Sequence, residues 1–253
     1  MTRPRIPHPF PRDRLLITRQ DNAYHYLSRV LRIRPGEEVA LFCGDGVDYV
    51  YRVENLAAHE IALVLQNRVD HQADPNLRIV LLQAVLKAAP MAEVVRGVVG
   101  LGVSDIIPFV ARHSVARPDE SKVSRWQVIA DETVRQCGRT RSPTVGGVAE
   151  SLAAALEHCA RGGPTGLPGI LFHESADRPI TEALDRLQAV KDIIRESGVM
   201  VVLGPEGGLA NQEIEVAGEA GLITSSLGPR TLRAELATMT AIALIQHRFG
   251  DLT

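Results

Sequence analysis

The stretch VMVVLGPEGGLANQEIEVAGEAGLITSSLGPRTLRAELATMTA, from Val199 to Ala241, decides the fold of this chain. Its two apolar runs, Val199–Leu203 and Leu222–Leu227, each end at a turn that contains glycine and proline. A helical pattern follows each turn, over Asn211–Ala220 after the first and from about Thr231 after the second. This order predicts parallel βα units, in which ligands bind at the carboxyl ends of the strands.

Both turns carry residues that suit a ligand. Gly207 and Gly208 can adopt positive φ and let a ligand approach the backbone, while Pro205 stiffens the same turn. The carboxylate of Glu206 can pair with a cation, and Arg233 can hold a phosphate or carboxylate by a two-pronged contact. The alternative is a pair of ordinary turns beside surface charge, but two such turns in one βαβα context are seldom accidental.

The charge of the chain is unevenly distributed. The net charge is −2, yet residues 1–34 hold eight Arg against two Asp, a net of +6. The other residues hold 20 basic and 28 acidic side chains, a net of −8. An excess of arginine in residues 1–34 of an otherwise acidic chain predicts that this segment binds phosphate. The alternative is chance clustering of surface charge.

The first 70 residues have the pattern of a small β-rich domain. Short strands are predicted at Leu15–Thr18, Glu38–Phe42, Tyr49–Val53 and Ile61–Leu65. Gly44-Asp45-Gly46 predicts a hairpin turn, and one helix is predicted at about Asp21–Leu31. Small barrels of this size commonly bind RNA. The polar stretch Asp70–Asn76 predicts a domain boundary.

From Leu77 onwards strands and helices alternate at βαβ spacing, which predicts an α/β domain with a mostly parallel sheet. Strands are predicted at Ile79–Leu86, Asp105–Val110 and Ile170–Phe172, and helices at Met91–Leu101, Ser121–Cys137, Leu152–Cys159 and Ile180–Glu196. The last helix is apolar on more than one face from Leu232 to Ile245. Such a helix is buried on both sides, and we expect a second subunit to cover one of them.

Several classes of protein are disfavoured by what the sequence lacks. No apolar run has the length of a membrane span, and the first ten residues do not resemble a signal peptide. Three widely separated cysteines without metal spacing predict free thiols in the cytoplasm and no metal site. Lys87-Ala88-Ala89-Pro90 after the first predicted strand of this domain is not a dinucleotide-binding G-x-G-x-x-G turn.

The motifs LGPEGG (Leu203–Gly208) and LGPRTLRAE (Leu227–Glu235) resemble the signature of the SPOUT methyltransferases, and most closely their 16S ribosomal RNA uracil-N3 branch. Similar to that branch are also RFGDL (Arg248–Leu252), HYLSRVLRIRPGEEVALFCGDG (His25–Gly46) and the N-terminal Arg5-Ile6 and His8-Pro9. The resemblance implies an RNA-binding PUA-like β-barrel over residues 1–72 and a trefoil-knotted SPOUT domain over residues 73–253. It also implies a homodimer that uses S-adenosylmethionine to methylate a uridine of the small ribosomal subunit.

The resemblance assigns roles to individual residues. The cofactor-binding set is Leu171, Phe172, His173, Leu203, Gly204, Pro205, Glu206, Gly207, Gly208, Ile223, Leu227, Gly228, Arg230 and Leu232. The catalytic candidates are Arg233, Glu235 and His173, the last either as a base or, as we rather expect, as a residue that orients its neighbours by hydrogen bonding. The RNA-binding candidates are Arg5, His8, His25, Arg29, Arg32, Arg34, Gln136 and Arg139. Packing within the helix remains an alternative for His25, and plain surface charge for Arg139.

Two other functions remain open at this point: ribose 2′-O-methylation by the same fold, and a non-catalytic RNA-binding adaptor. The chain also departs from the family pattern. Arg135 stands where the family usually has Glu, Gly100 where it has the Glu of Glu-Leu-Gly, and Leu236 where it has Thr. Lys87–Pro90 replaces its Lys-Gly-acid-base segment. Both cofactor turns are intact, so the departures bear on recognition of the target.

Overall fold

A computed structural model describes residues 4–9, 11–70, 73–161 and 166–252. Two compact units make up the chain. The N-terminal unit comprises Met1–Asp74 together with Val134–Ser142, and the C-terminal unit comprises Pro75–Thr133 together with Pro143–Thr253. The first division between them falls inside the polar stretch Asp70–Asn76. The grouping of Val134–Ser142 with the N-terminal unit has no counterpart in the sequence pattern.

The N-terminal unit is built on a five-stranded mixed sheet. Its strands are β1 (Arg5–Pro7), β2 (Arg14–Thr18), β3 (Glu38–Phe42), β4 (Val47–Leu56) and β5 (Glu60–Asp70), in the order β1-β3-β4-β5-β2. All pairs are antiparallel except β1 with β3. The four predicted strands are confirmed, although β4 and β5 are longer than expected and β1 was missed. Closure of this sheet into a barrel stays a prediction.

Side chains from every strand of this sheet meet in one apolar core. Ile17, Leu41, Tyr51 and Leu63 are almost completely buried there. Tyr51 satisfies its buried hydroxyl by donating to the backbone carbonyl of Arg12 at 2.7 Å. The hairpin between β3 and β4 turns through Gly44 and Gly46, whose φ angles of 89° and 87° require glycine.

The single predicted helix over Asp21–Leu31 is divided in the structure. A short α1 (Asn22–His25) runs into a π-helical turn, Tyr26–Val30, and the chain then reverses at Arg32 with a φ of 52°. The amide of Leu31 donates to the carbonyl of Tyr26, five residues back, which is the π-helical pattern. Hydrophobic periodicity does not distinguish these two kinds of turn.

The C-terminal unit contains a six-stranded sheet. Its strands are β6 (Ile79–Ala84), β7 (Asp105–Phe109), β8 (Thr144–Val145), β9 (Gly169–Phe172), β10 (Val199–Leu203) and β11 (Ile223–Ser225). The order is β11-β9-β10-β6-β7-β8, and every pairing is parallel. The predicted α/β architecture with a mostly parallel sheet is therefore confirmed. Strands β6 and β10 are buried along their whole length, which explains their continuous apolar sequences.

Among the residues that the structure describes, seven helices connect and cover these strands. They are α2 (Ala88–Gly100), α3 (Glu120–Cys137), α4 (Leu152–Arg161), α5 (Ile180–Gln188), α6 (Lys191–Ser197), α7 (Asn211–Glu219) and α8 (Ala234–Phe249). The prediction of one helix over Ile180–Glu196 was wrong, since the chain turns at Ala189 and Val190. Helix α8 begins at Ala234 rather than Thr231, because Arg233 before it is extended, with ψ of 147°. Within the described ranges, none of the helices has the length and apolarity needed to cross a membrane.

Helix α8 packs closely on α2. A Cβ at Gly97 of α2 would overlap the side chain of Met239, so Met239 would have to shift to accommodate it. One face of α8 is buried and contains Ala241, Ile242 and Ile245, whereas Leu236 is 50% exposed. The predicted burial therefore holds on one side of the helix, and coverage of the other side by a second subunit remains a prediction.

Candidate functional site

A pocket of about 530 Å³ opens at the carboxyl ends of β9 and β10, beside the beginning of α8. Three segments form most of its wall: the turn after β10, the turn after β11, and the residues that follow β9. Among the predicted cofactor residues, the pocket is lined by Phe172, His173, Leu203, Gly204, Pro205, Glu206, Gly208, Leu227, Gly228, Arg230 and Leu232. Arg233 and Glu235, two catalytic candidates, line it as well.

The turn after β10 is shaped by its glycines. Gly208 has a φ of 74° and donates its amide to the carbonyl of Pro205 at 2.9 Å. A Cβ at Gly204 would stand 3.0 Å from Cγ of Leu209. Glu206 uses its Oε1 to accept a hydrogen bond from the backbone amide of Lys87 at 3.2 Å, which ties this turn to the end of β6.

The turn after β11 contributes the cations of the pocket. Gly228 has a φ of 115°, which permits the turn, and Arg230 and Arg233 lie beyond it with exposed side chains. Neither arginine makes an ion pair with any described residue. Glu235, in the first turn of α8, is half-buried and likewise has no partner among the residues that the structure describes. These side chains are therefore available to a ligand.

The third wall is held in place by β11. His173 donates its backbone amide to the carbonyl of Ser225 at 2.9 Å. Its ring Nδ1 lies 3.2 Å from the amide of Ser175 and accepts from it, so the neutral ring carries its proton on Nε2. With one ring nitrogen accepting and the other protonated, the neutral imidazole has no free lone pair. This geometry favours the orienting role over the base.

Three predicted cofactor residues lie behind the wall of the pocket. Leu171 has a fully buried side chain in the sheet core, and its backbone pairs with β10 and β11. Ile223 is the first residue of β11 and is half-buried. Gly207 lies against the next loop, where its Cβ would come within 3.0 Å of Cβ of His113.

The loop after β7, for which the sequence predicted no role, supports the glycine turn. Nδ1 of His113 lies 3.1 Å from the carbonyl oxygen of Gly207 and 3.2 Å from that of Gly208. Carbonyl oxygens only accept, so Nδ1 carries a proton and donates to both. Glu213 also accepts a hydrogen bond from the amide of Arg112 at 3.1 Å. No local motif signals His113, since its partners are 94 and 95 residues away.

A buried polar pair supports the beginning of α8. Thr238 is fully buried, and its hydroxyl lies 2.8 Å from Oε1 of Gln83 on the central strand β6. The same hydroxyl lies 2.9 Å from the carbonyl of Ala234, and Gln83 donates to the carbonyl of Ala84 at 3.0 Å. These contacts fix the first turn of α8, and with it Glu235, relative to the sheet.

Lys87, which in the sequence stands only as part of a departure from the family pattern, also lines the pocket. It follows β6 and has an exposed side chain. The described wall of the pocket therefore holds three cationic side chains, those of Lys87, Arg230 and Arg233, and three carboxylates. The carboxylates belong to Glu174, Glu206 and Glu235. Such a balanced wall suits a ligand that carries both signs of charge.

The predicted RNA-binding residues fall into two groups. His25, Arg29, Arg32, Arg34 and Gln136 are exposed, and His8 is half-buried. The exposure of His25 contradicts its packing within the helix. Next to this group, the guanidinium of Arg135 stacks on the ring of Tyr26 at 5.3 Å from the centroid.

Arg5 and Arg139 are placed differently from the prediction. Arg5 is 10% exposed and makes a two-pronged ion pair with the buried Asp48, at 2.6 Å and 2.7 Å. Arg139 is 4% exposed and lies with its Nε 4.0 Å from Asp74. The surface-charge alternative for Arg139 is therefore wrong. Burial and pairing favour a role in the fold of the N-terminal unit over direct RNA contact for both residues.

Residues 73–246 match the RNA methyltransferase domain family, and residues 20–66 match the RNA methyltransferase PUA domain family. The chain belongs to this family of RNA methyltransferases. Two relatives are ribosomal RNA small subunit methyltransferases E. That of Synechocystis is 30% identical over 221 residues, covering 87% of this chain and 69% of the relative. The enzyme of Bacillus subtilis is 25% identical over 234 residues, which cover 88% of this chain and 87% of the relative.

A solved structure extends the comparison to the whole fold. The ribosomal RNA small subunit methyltransferase E of Neisseria gonorrhoeae, crystallised with S-adenosyl methionine, superposes with a TM-score of 0.84. It is 27% identical, and the alignment covers 100% of both chains.

Proposed function

We propose that this protein transfers a methyl group from S-adenosylmethionine to N3 of a uridine in 16S ribosomal RNA of the small subunit. Membership of the RNA methyltransferase family and the named relatives support methylation of ribosomal RNA with this cofactor. The observation that carries the proposal is the pocket of about 530 Å³ between two glycine turns at the carboxyl ends of parallel strands.

The pocket fits S-adenosylmethionine by its chemistry. Phe172, Leu203 and Leu227 provide apolar surface for the adenine, and the turns at Gly204 and Gly208 let it approach bare backbone. The cofactor carries a carboxylate, an ammonium and a sulfonium group. Arg230 suits the carboxylate, and Glu174 and Glu206 suit the two cationic groups.

Residues of the chain would then promote loss of the N3 proton from the target uracil. When bound, the cofactor supplies the electrophilic methyl group, which passes from sulfur to N3 while the sulfur keeps the bonding electron pair. The N3 proton must leave, and it is only weakly acidic in free uridine. Arg233 stabilises the negative charge that spreads onto the neighbouring uracil oxygen, and the unpaired Glu235 accepts the proton. Positioning of the two reactants in one pocket supplies further acceleration.

The proposal also includes the finer architecture implied by the family resemblance. Residues 1–72 would form a PUA-like barrel that binds RNA, and residues 73–253 a SPOUT domain with a trefoil knot. The insertion of β10 between β9 and β6 supports a non-sequential path of the chain. A homodimer would cover the exposed Leu236 on α8. A cytoplasmic location accords with the free cysteines.

The direct test is nucleoside mass spectrometry of 16S ribosomal RNA from cells that lack the gene. We expect one N3-methyluridine to be missing, to return with the normal gene, and to stay missing with Arg233→Ala. Loss of a ribose-methylated nucleoside instead would favour 2′-O-methylation. An unchanged nucleoside content, together with no heat of binding for S-adenosylmethionine in calorimetry, would favour the adaptor.

A further inference from the structure

A second pocket in the C-terminal unit, of about 440 Å³, lies between α2 and α3. Its walls include Ala88, Ala92 and Arg96 from α2 and Lys122, Arg125 and Trp126 from α3. We call it the α2–α3 groove. Along each helix its lining residues recur at spacings of three or four, so each helix turns one face towards the groove.

The charge of the α2–α3 groove is of one sign. Arg96, Lys122 and Arg125 are exposed, and none of the described residues that line the groove is acidic. Arg96 and Arg125 make no ion pair within the described part of the chain. Because residues 35–253 carry a net charge of −8, three cations along one groove are not a consequence of a generally basic surface. The groove suits a polyanion.

The floor of the α2–α3 groove suits a planar apolar group. Small side chains at Ala88, Ala89 and Ala92 leave space above α2, and Trp126, which is 5% exposed, closes the bottom with Ile129. A polyanion that carries planar rings beside its phosphates is a single-stranded nucleic acid. Such strands bind proteins by combining cations for the phosphates with apolar surface for the bases.

The location of the α2–α3 groove connects it with the cofactor pocket. The first turn of α2 forms part of both walls, since Lys87 and Pro90 line the cofactor pocket while Ala88 and Ala89 line the groove. A nucleotide that flanks a base held in the cofactor pocket therefore has the groove within its reach.

We propose that the α2–α3 groove binds a nucleotide of single-stranded RNA next to the target base, with Arg96, Lys122 and Arg125 on its phosphates. The inference rests on the proposed function for the identity of the RNA. Its test is RNA binding without the cofactor, which does not depend on which atom is methylated.

The first test compares Arg125→Gln with Arg195→Gln in the full chain. Arg195 is an exposed arginine of α6 outside the groove, so both variants lose the same charge from the same unit. Binding of oligouridine is measured against salt concentration, starting at low salt. For Arg125→Gln we expect weaker binding and a salt slope smaller by about 0.7, the value for one phosphate contact on a single strand. Arg195→Gln should bind as the unaltered chain does.

Equal affinities and slopes for Arg125→Gln and Arg195→Gln would overturn the proposal, and so would failure of the unaltered chain to bind oligouridine at low salt. Sedimentation of the same samples covers the other possible occupant, a second copy of this chain. A change in subunit association for Arg125→Gln, with RNA affinity following the association state, would contradict the proposal.

The second test fills the floor of the α2–α3 groove with Ala92→Phe. The phenyl ring would take the space of the base and leave the three cations in place. We expect weaker oligouridine binding with an unchanged salt slope. Unchanged affinity would contradict a bound base. Calorimetry with S-adenosylmethionine serves as the control, since an unchanged cofactor affinity shows that the neighbouring pocket still forms.

Discussion

The cofactor pocket was predicted from two glycine motifs and the RNA-binding role of the N-terminal unit from clustered arginines, and the structure bears differently on the two predictions. In the pocket, residues from two separate turns and one strand end line a single cavity. In the N-terminal unit, Arg139 is buried and Arg5 is only 10% exposed, each beside a carboxylate, while Arg29, Arg32 and Arg34 are exposed. A glycine turn specifies its own local geometry, whereas the role of an arginine depends on a partner that the sequence does not reveal.

The largest effect is expected in the pocket, from Gly207→Val. The new Cβ would meet Cβ of His113 at 3.0 Å and its carbonyl oxygen at 3.4 Å, which would displace the turn. Overpacking costs of about 3 kcal/mol correspond to a loss of cofactor affinity of roughly 100-fold, measured by calorimetry. Gly147→Val is the matched control, because nothing lies within 4 Å of a Cβ there. Equal affinities in the two variants would exclude the turn from the binding site.

The next effect tests the N-terminal unit by means of Asp48→Asn. The substitution would leave the guanidinium of Arg5 buried without its counter-charge, which costs about 3 kcal/mol or more of stability. Thermal unfolding followed by circular dichroism measures the loss. Glu54→Gln breaks the exposed ion pair with Arg14, whose side chain is 75% exposed, and should cost less than about 1 kcal/mol. Equal losses of thermal stability in the two variants would show that the ion pair of Arg5 does not stabilise the fold, and Arg5 would again be a candidate for RNA contact.

A smaller effect is expected from Arg32→Glu on RNA binding. Glutamate keeps the Cβ of Arg32, so the positive φ at this position is no more strained than before. Reversal of one charge near phosphates should weaken the binding of RNA about tenfold and leave cofactor affinity unchanged. Filter binding at several salt concentrations measures it, with Arg195→Glu as the control. An RNA affinity that does not change with salt concentration would contradict phosphate binding by the arginine-rich residues 1–34.

The smallest effect concerns the hairpin of the N-terminal unit. A hydrogen bond of 2.6 Å from Tyr49 to Asp45 raises the pKa of the tyrosine to about 12. Stability from this contact is therefore complete below the ordinary tyrosine pKa of about 10 and is lost as the pH rises through the folded value. Asp45→Asn should return the pKa of Tyr49 towards about 10, as measured by phenolate absorbance. An unchanged titration would show that the hairpin side chains are not ordered in this way.

Much of the C-terminal fold could be predicted because local patterns determine it. Val199–Leu203 was predicted with its observed bounds, since an apolar run that ends at Gly204-Pro205 has few alternatives. Turns without glycine or proline were not predictable. The break at Ala189 and Val190 between α5 and α6 is an example, as is the π-helical turn at Tyr26–Val30.

The parts of the site that could not be predicted depend on contacts between distant segments. His113 reaches the glycine turn across 94 residues, and Arg5 reaches Asp48 across 43. Thr238 meets Gln83 across 155 residues inside the core. The composition of each segment gives no signal for such pairs. The turns of the pocket were therefore predictable from motifs, whereas the loop and the buried pair that support them were not.

A crystal structure of the protein with S-adenosylmethionine tests the central claim most directly. We expect the nucleoside between the turns at Gly204–Gly208 and Leu227–Leu232, with its methyl group directed towards open space near Arg233 and Glu235. Density for the cofactor at another place, or both turns packed together with no room between them, would contradict it.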